Sequence, residues 1–503
     1  MPHPHTERQN LEKSMSPLSI WALAFGAIIG WGAFIMPGLR FLPGSGPIGA
    51  CIGFVLGGLM LTFVALTYGR LVGCHPVAGG VFAFSYAAFG PTLSFICGWA
   101  LVLGYLSIIA LNATAIVLLT RFLLPGVLEI GHMYTIAGWD IHAGELFMLE
   151  AVLVIFWLLN YCGADIVGKV QVLLAVILAV GVIVIVVGAL SAAVGVIVIV
   201  VGALSAPDSR LENLSPWFAP DKSALASIAA VTAIAPWLFV GFDTIPQAAE
   251  EFKFPPSKGT GLMILSIVCG ILVYSAVTLA VGVVMPWPSL TADASIVWHT
   301  GYTVELSLGK TGSIPLALAV LSAILTGING FYIASSRLLF SMGRAHILPD
   351  WFGRLHGKHK TPTNALNFVM LIVLIAPFFG REVLSWVVDM SSIGTIIGYL
   401  FASLAAYSIA GTCRDMFSAS TRPLAVLGCI ASLICLCLLV LPFSPAAISF
   451  PSWCVLGIWV ALGFCLYCLR LNTIRSYPED ERAYLILGDS ELCKSCVPNW
   501  KDK

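Results

Sequence analysis

GAIIGWGAFIMPG, residues Gly26 to Gly38, interrupts an otherwise unbroken apolar run near the start of the chain. The run is greasy enough to cross a membrane, yet it places four glycines and a proline where a helix is weakest. A helix broken by glycine at the bilayer midplane exposes N–H and C=O groups that no neighbouring turn satisfies. That is costly unless something else binds them. On the glycines alone, close packing of small residues against a neighbouring helix explains the stretch equally well.

Composition sets the class. Of 503 residues, 59% are hydrophobic and only 10% charged, with a mean hydropathy of +0.97. Such a chain cannot present enough polar surface to be a water-soluble globule, so a polytopic membrane protein is expected. Twelve apolar stretches approach or exceed the roughly 20 residues that cross a ~30 Å hydrocarbon core at about 1.5 Å per residue. They fall near 17–42, 47–73, 92–120, 146–161, 167–206, 224–248, 261–287, 313–341, 363–379, 383–411, 423–441 and 452–470. The polar residues before the first span carry no cleavable signal pattern, so that span is expected to be retained.

With the N-terminus inside, 19 of the 25 Lys and Arg residues fall on the inner side and 6 on the outer. The positive-inside rule then predicts both termini in the cytoplasm, in a multi-pass protein of the cell membrane. The net charge of zero gives no reason to expect nucleic acid as a partner. One oddity lies in the fifth span: Ala179 to Ala192 (AVGVIVIVVGALSA) is repeated without a difference as Ala193 to Ala206. Splitting the span into two crossings would invert every later loop, against the charge pattern, so a single overlong crossing is expected.

A second interruption shifts the balance at the opening stretch. Ala235 to Pro255 reads APWLFVGFDTIPQAAEEFKFP, with Pro236, Gly241, Asp243 and Pro246 placed where a continuous helix would be poor. Spans one and six each open a five-span half. Broken helices at matching positions of two halves point to a midplane site in a carrier built from inverted repeats.

At these residues a family resemblance enters. GAIIGWGAFIMPG resembles the first-helix signature of the amino acid–polyamine–organocation (APC) superfamily of permeases. Pro76 to Trp99 (PVAGGVFAFSYAAFGPTLSFICGW) is similar to that family's entry into the third span, and Gly241 to Pro255 to its sixth-helix signature. Ser335 to Pro349 (SSRLLFSMGRAHILP) followed by TPTNA, and Ser391 to Thr395 (SSIGT), resemble its eighth- and tenth-helix motifs. The likeness runs in register from about 17 to 470. It implies an all-α integral membrane protein of twelve helices in the APC fold. Repeat one would span about 17–206 and repeat two about 224–411, in a five-plus-five inverted arrangement with helices one and six broken. Two extra helices would follow at about 423–470, with cytoplasmic segments at 1–16 and 471–503.

The resemblance also implies a site. Amides around Ile28, Gly30, Trp31 and Gly32 would take a substrate α-carboxylate, aided by the half-helix dipole. Carbonyls of Phe239, Val240 and Gly241 would take its α-ammonium group. Trp237 and Phe331 align with pocket aromatics, although a membrane aromatic more often serves packing. Trp31 departs from the family, which has a small residue there. Asp243 is an ionisable group inside a span and so a candidate for coupling or gating; its bland alternative is a cap on local backbone. Glu250 and Glu251, at the cytoplasmic end, fit an inner gate. Proton-coupled members often carry a lysine in the fifth helix where this chain has Ile177. Ser335 and Ser336 offer hydroxyls for a sodium ion, but such serines usually bond the preceding turn.

No metal or cofactor is expected, beyond a possible sodium ion or proton for coupling. The Cys493–Cys496 pair is a lone CxxC, short of a metal framework. No GxSxG, HExxH or P-loop pattern stands in context, so an enzyme is not expected. The leading reading is a permease moving neutral amino acids by alternating access, as exchanger or ion-coupled symporter. Polyamine or ethanolamine carriers, which would need acids lining the pocket, and a non-transporting sensor or channel are the alternatives. Oligomeric state is not legible.

Overall fold

The computed structural model describes residue 13 and residues 16–162 and 210–488, apart from 137–138, 294, 297, 358–360, 381–382, 413–416 and 445. The fifth expected span with its fourteen-residue repeat, and the Cys493–Cys496 pair, lie outside the described residues. Among the described residues, nine helices are long and apolar enough to cross a membrane. Their exposure grades from the centre outward. The most apolar part of one helix, α5 (Val81–Leu123), is 94% buried, whereas that of α16 (Phe450–Ser476) is 11% buried and faces outward with Ile458, Val460 and Phe464. Such faces are tolerable only where the surrounding solvent is lipid. The chain is a multi-pass membrane protein.

The opening stretch is broken where its glycines lie. Helix α1 (Pro17–Ile28) stops, Ile29 to Trp31 form an irregular turn, and α2 (Gly32–Met36) resumes. A π turn over Pro37–Phe41 follows, closed by the Leu42 N–H on the Pro37 carbonyl, and then α3 (Leu42–Ser45). Proline supplies no N–H and its ring crowds the preceding turn, which is where a wider turn forms. Helix α4 (Pro47–Cys74) leads to α5.

The third span was expected to begin at Thr92, and a helical segment does open at Pro91; in α5 it is joined to a preceding segment that starts at Val81. Gly90, at φ 82°, kinks it, and Pro91 opens the second segment in the position proline suits best. Between α5 and α6 (Ala143–Cys162) a two-stranded antiparallel hairpin, β1 (His132–Ile136) with β2 (Trp139–His142), departs from an entirely helical reading. Arg121 ties it down, donating to the Asp140 carbonyl at 2.9 Å and Glu145 Oε2 at 2.8 Å.

The sixth span is the most fragmented. It consists of α7 (Ala224–Thr232), α8 (Ala235–Leu238), α9 (Thr244–Gln247) and a 3-10 turn at Ala249–Glu251. Next come α10 (Lys258–Val284), α11 (Trp287–Ala292), α12 (His299–Arg344), kinked at Gly309, and the short α13 (Thr363–Val373). Helices α14 (Val383–Thr412), α15 (Thr421–Val440) and α16 complete the bundle. Helix α5 packs against α12 and α14, and α4 against α10 and α15. Helix α16 is anchored by a reciprocal indole pair. Trp99 Nε1 donates to the Trp459 carbonyl at 3.0 Å and Trp459 Nε1 to the Trp99 carbonyl at 3.1 Å, with the rings stacked at 4.4 Å. The segment expected as a cytoplasmic tail forms α17 (Glu479–Leu487), whose buried Arg482 donates to the Ile474 carbonyl at 2.8 Å.

Candidate functional site

The two broken helices meet at Gly241. Its φ is +131°, a conformation that favours glycine. A Cβ there would stand 2.8 Å from Ala27 Cβ, 2.9 Å from the Ile28 nitrogen and 3.0 Å from the Ala24 carbonyl oxygen. Helix six therefore lies on helix one backbone to backbone. On the other side of the break, a Cβ on Gly32 would lie 3.0 Å from Trp237 Cη2. Trp237, at 5% exposure, thus covers the restart of helix one.

Around this contact part of the main chain is unsatisfied. Among the described residues, no backbone acceptor takes the N–H of Gly30, Trp31 or Gly32, and no hydrogen bond reaches the carbonyls of Phe239 or Val240. Two expected groups behave differently. The Gly241 carbonyl accepts both the Thr244 N–H, at 3.1 Å, and the Thr244 hydroxyl, at 2.6 Å. Ile28 sits in the last turn of α1, so it contributes a carbonyl to the break rather than a free amide, and Tyr274 Oη donates to that carbonyl at 2.9 Å.

Asp243 is fully buried and both its oxygens are engaged. Oδ1 accepts the Gly241 N–H at 2.9 Å, and Oδ2 accepts the Tyr105 hydroxyl at 2.7 Å. Gln247 Nε2 approaches the same tyrosine oxygen at 3.4 Å. The Tyr105 ring lies 5.6 Å from that of Phe331, which joins the eighth-span aromatic to the sixth-span break. Trp31 is buried at 1% exposure. Ser335 and Ser336 spend their protons on the preceding turn: Ser335 on the Phe331 carbonyl at 2.5 Å, Ser336 on the Ile333 carbonyl at 3.0 Å.

Three polar side chains at the breaks escaped the sequence reading. Tyr274 on α10 donates to the carbonyls of Ile28 and, at 3.1 Å, Leu238, bridging the two discontinuous helices. Tyr105 supports Asp243. Asn112 lies beside Gly30, whose Cβ position is 3.5 Å from Asn112 Oδ1. An isolated amide in a long apolar helix is expensive and marks function by default, and that signal was present in the sequence.

Ion pairs flank the breaks on both sides. Beyond helix one's break, Arg40 Nη2 lies 3.9 Å from Asp389 Oδ1, and Ser452 donates to Asp389 Oδ2 at 2.7 Å. Beyond helix six's break, Glu250 Oε2 accepts the Ala78 N–H at 3.0 Å and lies 3.7 Å from Arg344 Nη2. Helices one and six run through the breaks in opposite directions, so the pairs lie at opposite ends of the site.

Comparison with known proteins agrees. A family model described as amino acid permease matches residues 15–464. The chain is 27% identical over 473 residues to a methylthioribose transporter of Bacillus subtilis (strain 168), covering 92% of this chain and 94% of that protein. It is 25% identical over 397 residues to a branched-chain amino acid permease of Lactococcus lactis subsp. cremoris (strain MG1363), covering 77% and 80%. It is also 24% identical over 422 residues to an aspartate-proton symporter of Bacillus subtilis, covering 82% and 75%. With its signature motifs in register and the match spanning nearly its whole length, the chain belongs to the amino acid permease family of the APC superfamily.

Proposed function

We propose that this permease carries neutral amino acids across the cell membrane by alternating access, from a five-plus-five inverted repeat with both termini in the cytoplasm. The observation that supports this most is the contact of helix one with helix six at Gly241. It sets the break that carries the unpaired amides (Gly30, Trp31, Gly32) against the break that carries the unpaired carbonyls (Phe239, Val240). Donors and acceptors side by side suit the two charged ends of a zwitterion, with the substrate side chain left to pockets. In this reading Trp237 and Phe331 line the pocket, and the Arg40–Asp389 and Glu250–Arg344 pairs close its outer and inner sides.

Polyamines and ethanolamine fit less well. They need a carboxylate free to face the pocket, and Asp243 has both oxygens occupied. A second reading is favoured by the likeness to a methylthioribose transporter, whose named substrate is not a zwitterion. For coupling, the likeness to an aspartate-proton symporter favours a proton over sodium, with exchange as the alternative.

The deciding experiment is uptake and counterflow in proteoliposomes, using a panel of amino acids, amines and methylthioribose with and without proton and sodium gradients. Counterflow of at least one neutral amino acid is the expected result. Counterflow confined to amines or to methylthioribose overturns the amino acid reading.

A further inference from the structure

Asn112 sits on α5 at 2% exposure, in the narrow space between the break of helix one and helix α12. Its Nδ2 donates to the Ile108 carbonyl at 2.9 Å. That bond fixes the amide's orientation, because the opposite flip would set two oxygens against each other. Oδ1 is therefore the atom left over, and among the described residues it has no hydrogen-bond partner. The backbone on both sides is bare. Oδ1 is 3.5 Å from where a Cβ on Gly30 would lie, and a Cβ on Gly327 would come within 2.9 Å of Nδ2. Gly327 thus makes room for the carboxamide. Next to it, the buried Thr326 hydroxyl is also without a partner among the described residues.

A buried acceptor left unmatched costs free energy, so such groups are normally paired in the working state. A substrate carboxylate cannot take this place, since oxygen would face oxygen. Gly26 and Gly30, four residues apart, face Thr326 and Asn112, whereas Ala24, Ala27 and Ile28 face Gly241.

We propose that Asn112 is a specificity-determining residue. Its Oδ1 accepts a hydrogen bond from a donor on the side chain of the transported amino acid, so a hydroxyl-bearing substrate is favoured over an aliphatic one of the same shape. The inference rests on the proposed function, in that it takes the break of helix one as the substrate's place.

The test is counterflow by the full-length protein in proteoliposomes with L-threonine and L-valine, which differ by a hydroxyl in place of a methyl. A site built to accept a hydrogen bond rejects the analogue lacking the donor, here by about tenfold or more in kcat/KM. The wild type should show that preference for threonine. Asn112→Leu should bring the two to within about twofold, and Asn112→Asp, which keeps an acceptor oxygen, should retain the preference. Asn112→Ala gives the same reading as Asn112→Leu should the larger side chain prevent folding. Parity or a preference for valine in the wild type overturns the proposal without any variant. An unchanged ratio in Asn112→Leu also overturns it, and would assign the amide to a bound water or to packing alone. If no amino acid on the wider panel is exchanged, the transport reading falls and this one with it. Threonine–valine parity in a protein that exchanges amino acids removes this one only.

Discussion

The Tyr105 hydroxyl donates to Asp243 Oδ2 at 2.7 Å, while the other oxygen of the same carboxylate accepts the Gly241 N–H at 2.9 Å. One acid thereby holds the sixth-span break to the third span. Removing the tyrosine hydroxyl leaves a buried carboxylate oxygen unmatched. Tyr105→Phe is expected to destabilise the protein by about 1–3 kcal/mol, read as a lower apparent Tm in detergent. Asp243→Asn should do the same. The double variant should cost less than the sum, because each change removes the partner that the other orphans. Strict additivity would show that the two groups do not act as a pair.

Glycine substitutions should separate by position. Gly241→Ala meets both a φ of +131° and backbone at 2.8–3.0 Å, so it should abolish transport by forcing helices one and six apart. Gly32→Val should abolish substrate binding in a folded protein, since a single Cβ already stands 3.0 Å from Trp237. Gly261, by contrast, has nothing within 4 Å of its Cβ position and lies within a helix. Gly261→Ala should leave transport unchanged and be neutral or stabilising by about 0.5–1 kcal/mol. Equal loss in all three would mean that glycine content, and not the breaks, governs the fold.

The ion pair between Glu250 and Arg344 should behave as a latch. Glu250→Arg and Arg344→Glu are each expected to reduce counterflow by about tenfold, because each sets like charges together in a nearly buried place. The exchanged pair should recover part of the loss. No recovery would indicate that the Ala78 N–H bond to Glu250 is the contact that matters.

His75 gives a pH dependence of stability. It follows the α4 membrane span, and burial pushes its imidazole down to about 4 from 6.5. Since the folded value lies below the unfolded one, the unfolded state binds more protons between those limits. Stability is fully present above pH 6.5 and is lost as pH falls from there towards 4, by on the order of 3 kcal/mol. Apparent Tm measured across that range should show the decline, and His75→Gln should flatten it.

The breaks were legible because glycine and proline act locally. Gly30 and Gly241 disfavour helix whatever surrounds them, and the structure breaks where they lie, whereas Gly32 opens α2 and Pro246 sits inside the single turn of α9. The partners of those breaks were not legible in the same way. Tyr274 and Tyr105 stand in apolar runs with no period to single them out, and only the packing of α10 and α5 brings them to the breaks. The start of the third span near residue 92 was legible because Gly90 and Pro91 mark it locally, whereas the separate helical segment that precedes the kink from Val81 was not singled out. The hairpin at His132–His142 was missed because strands of five and four residues are too short for a clear alternation, and the hairpin is tied down by Arg121 from outside it.

The Tyr274 hydroxyl has a further consequence for how the cycle can be measured. One proton shared between the Ile28 and Leu238 carbonyls makes α10 a rivet through both discontinuous helices. A bridge that persists through transport would make these three elements move as one plate, with the pivot outside it. Spin labels placed on either side of the rivet should then report one fixed distance in every condition. That pair is a built-in ruler against which changes elsewhere in the molecule can be calibrated.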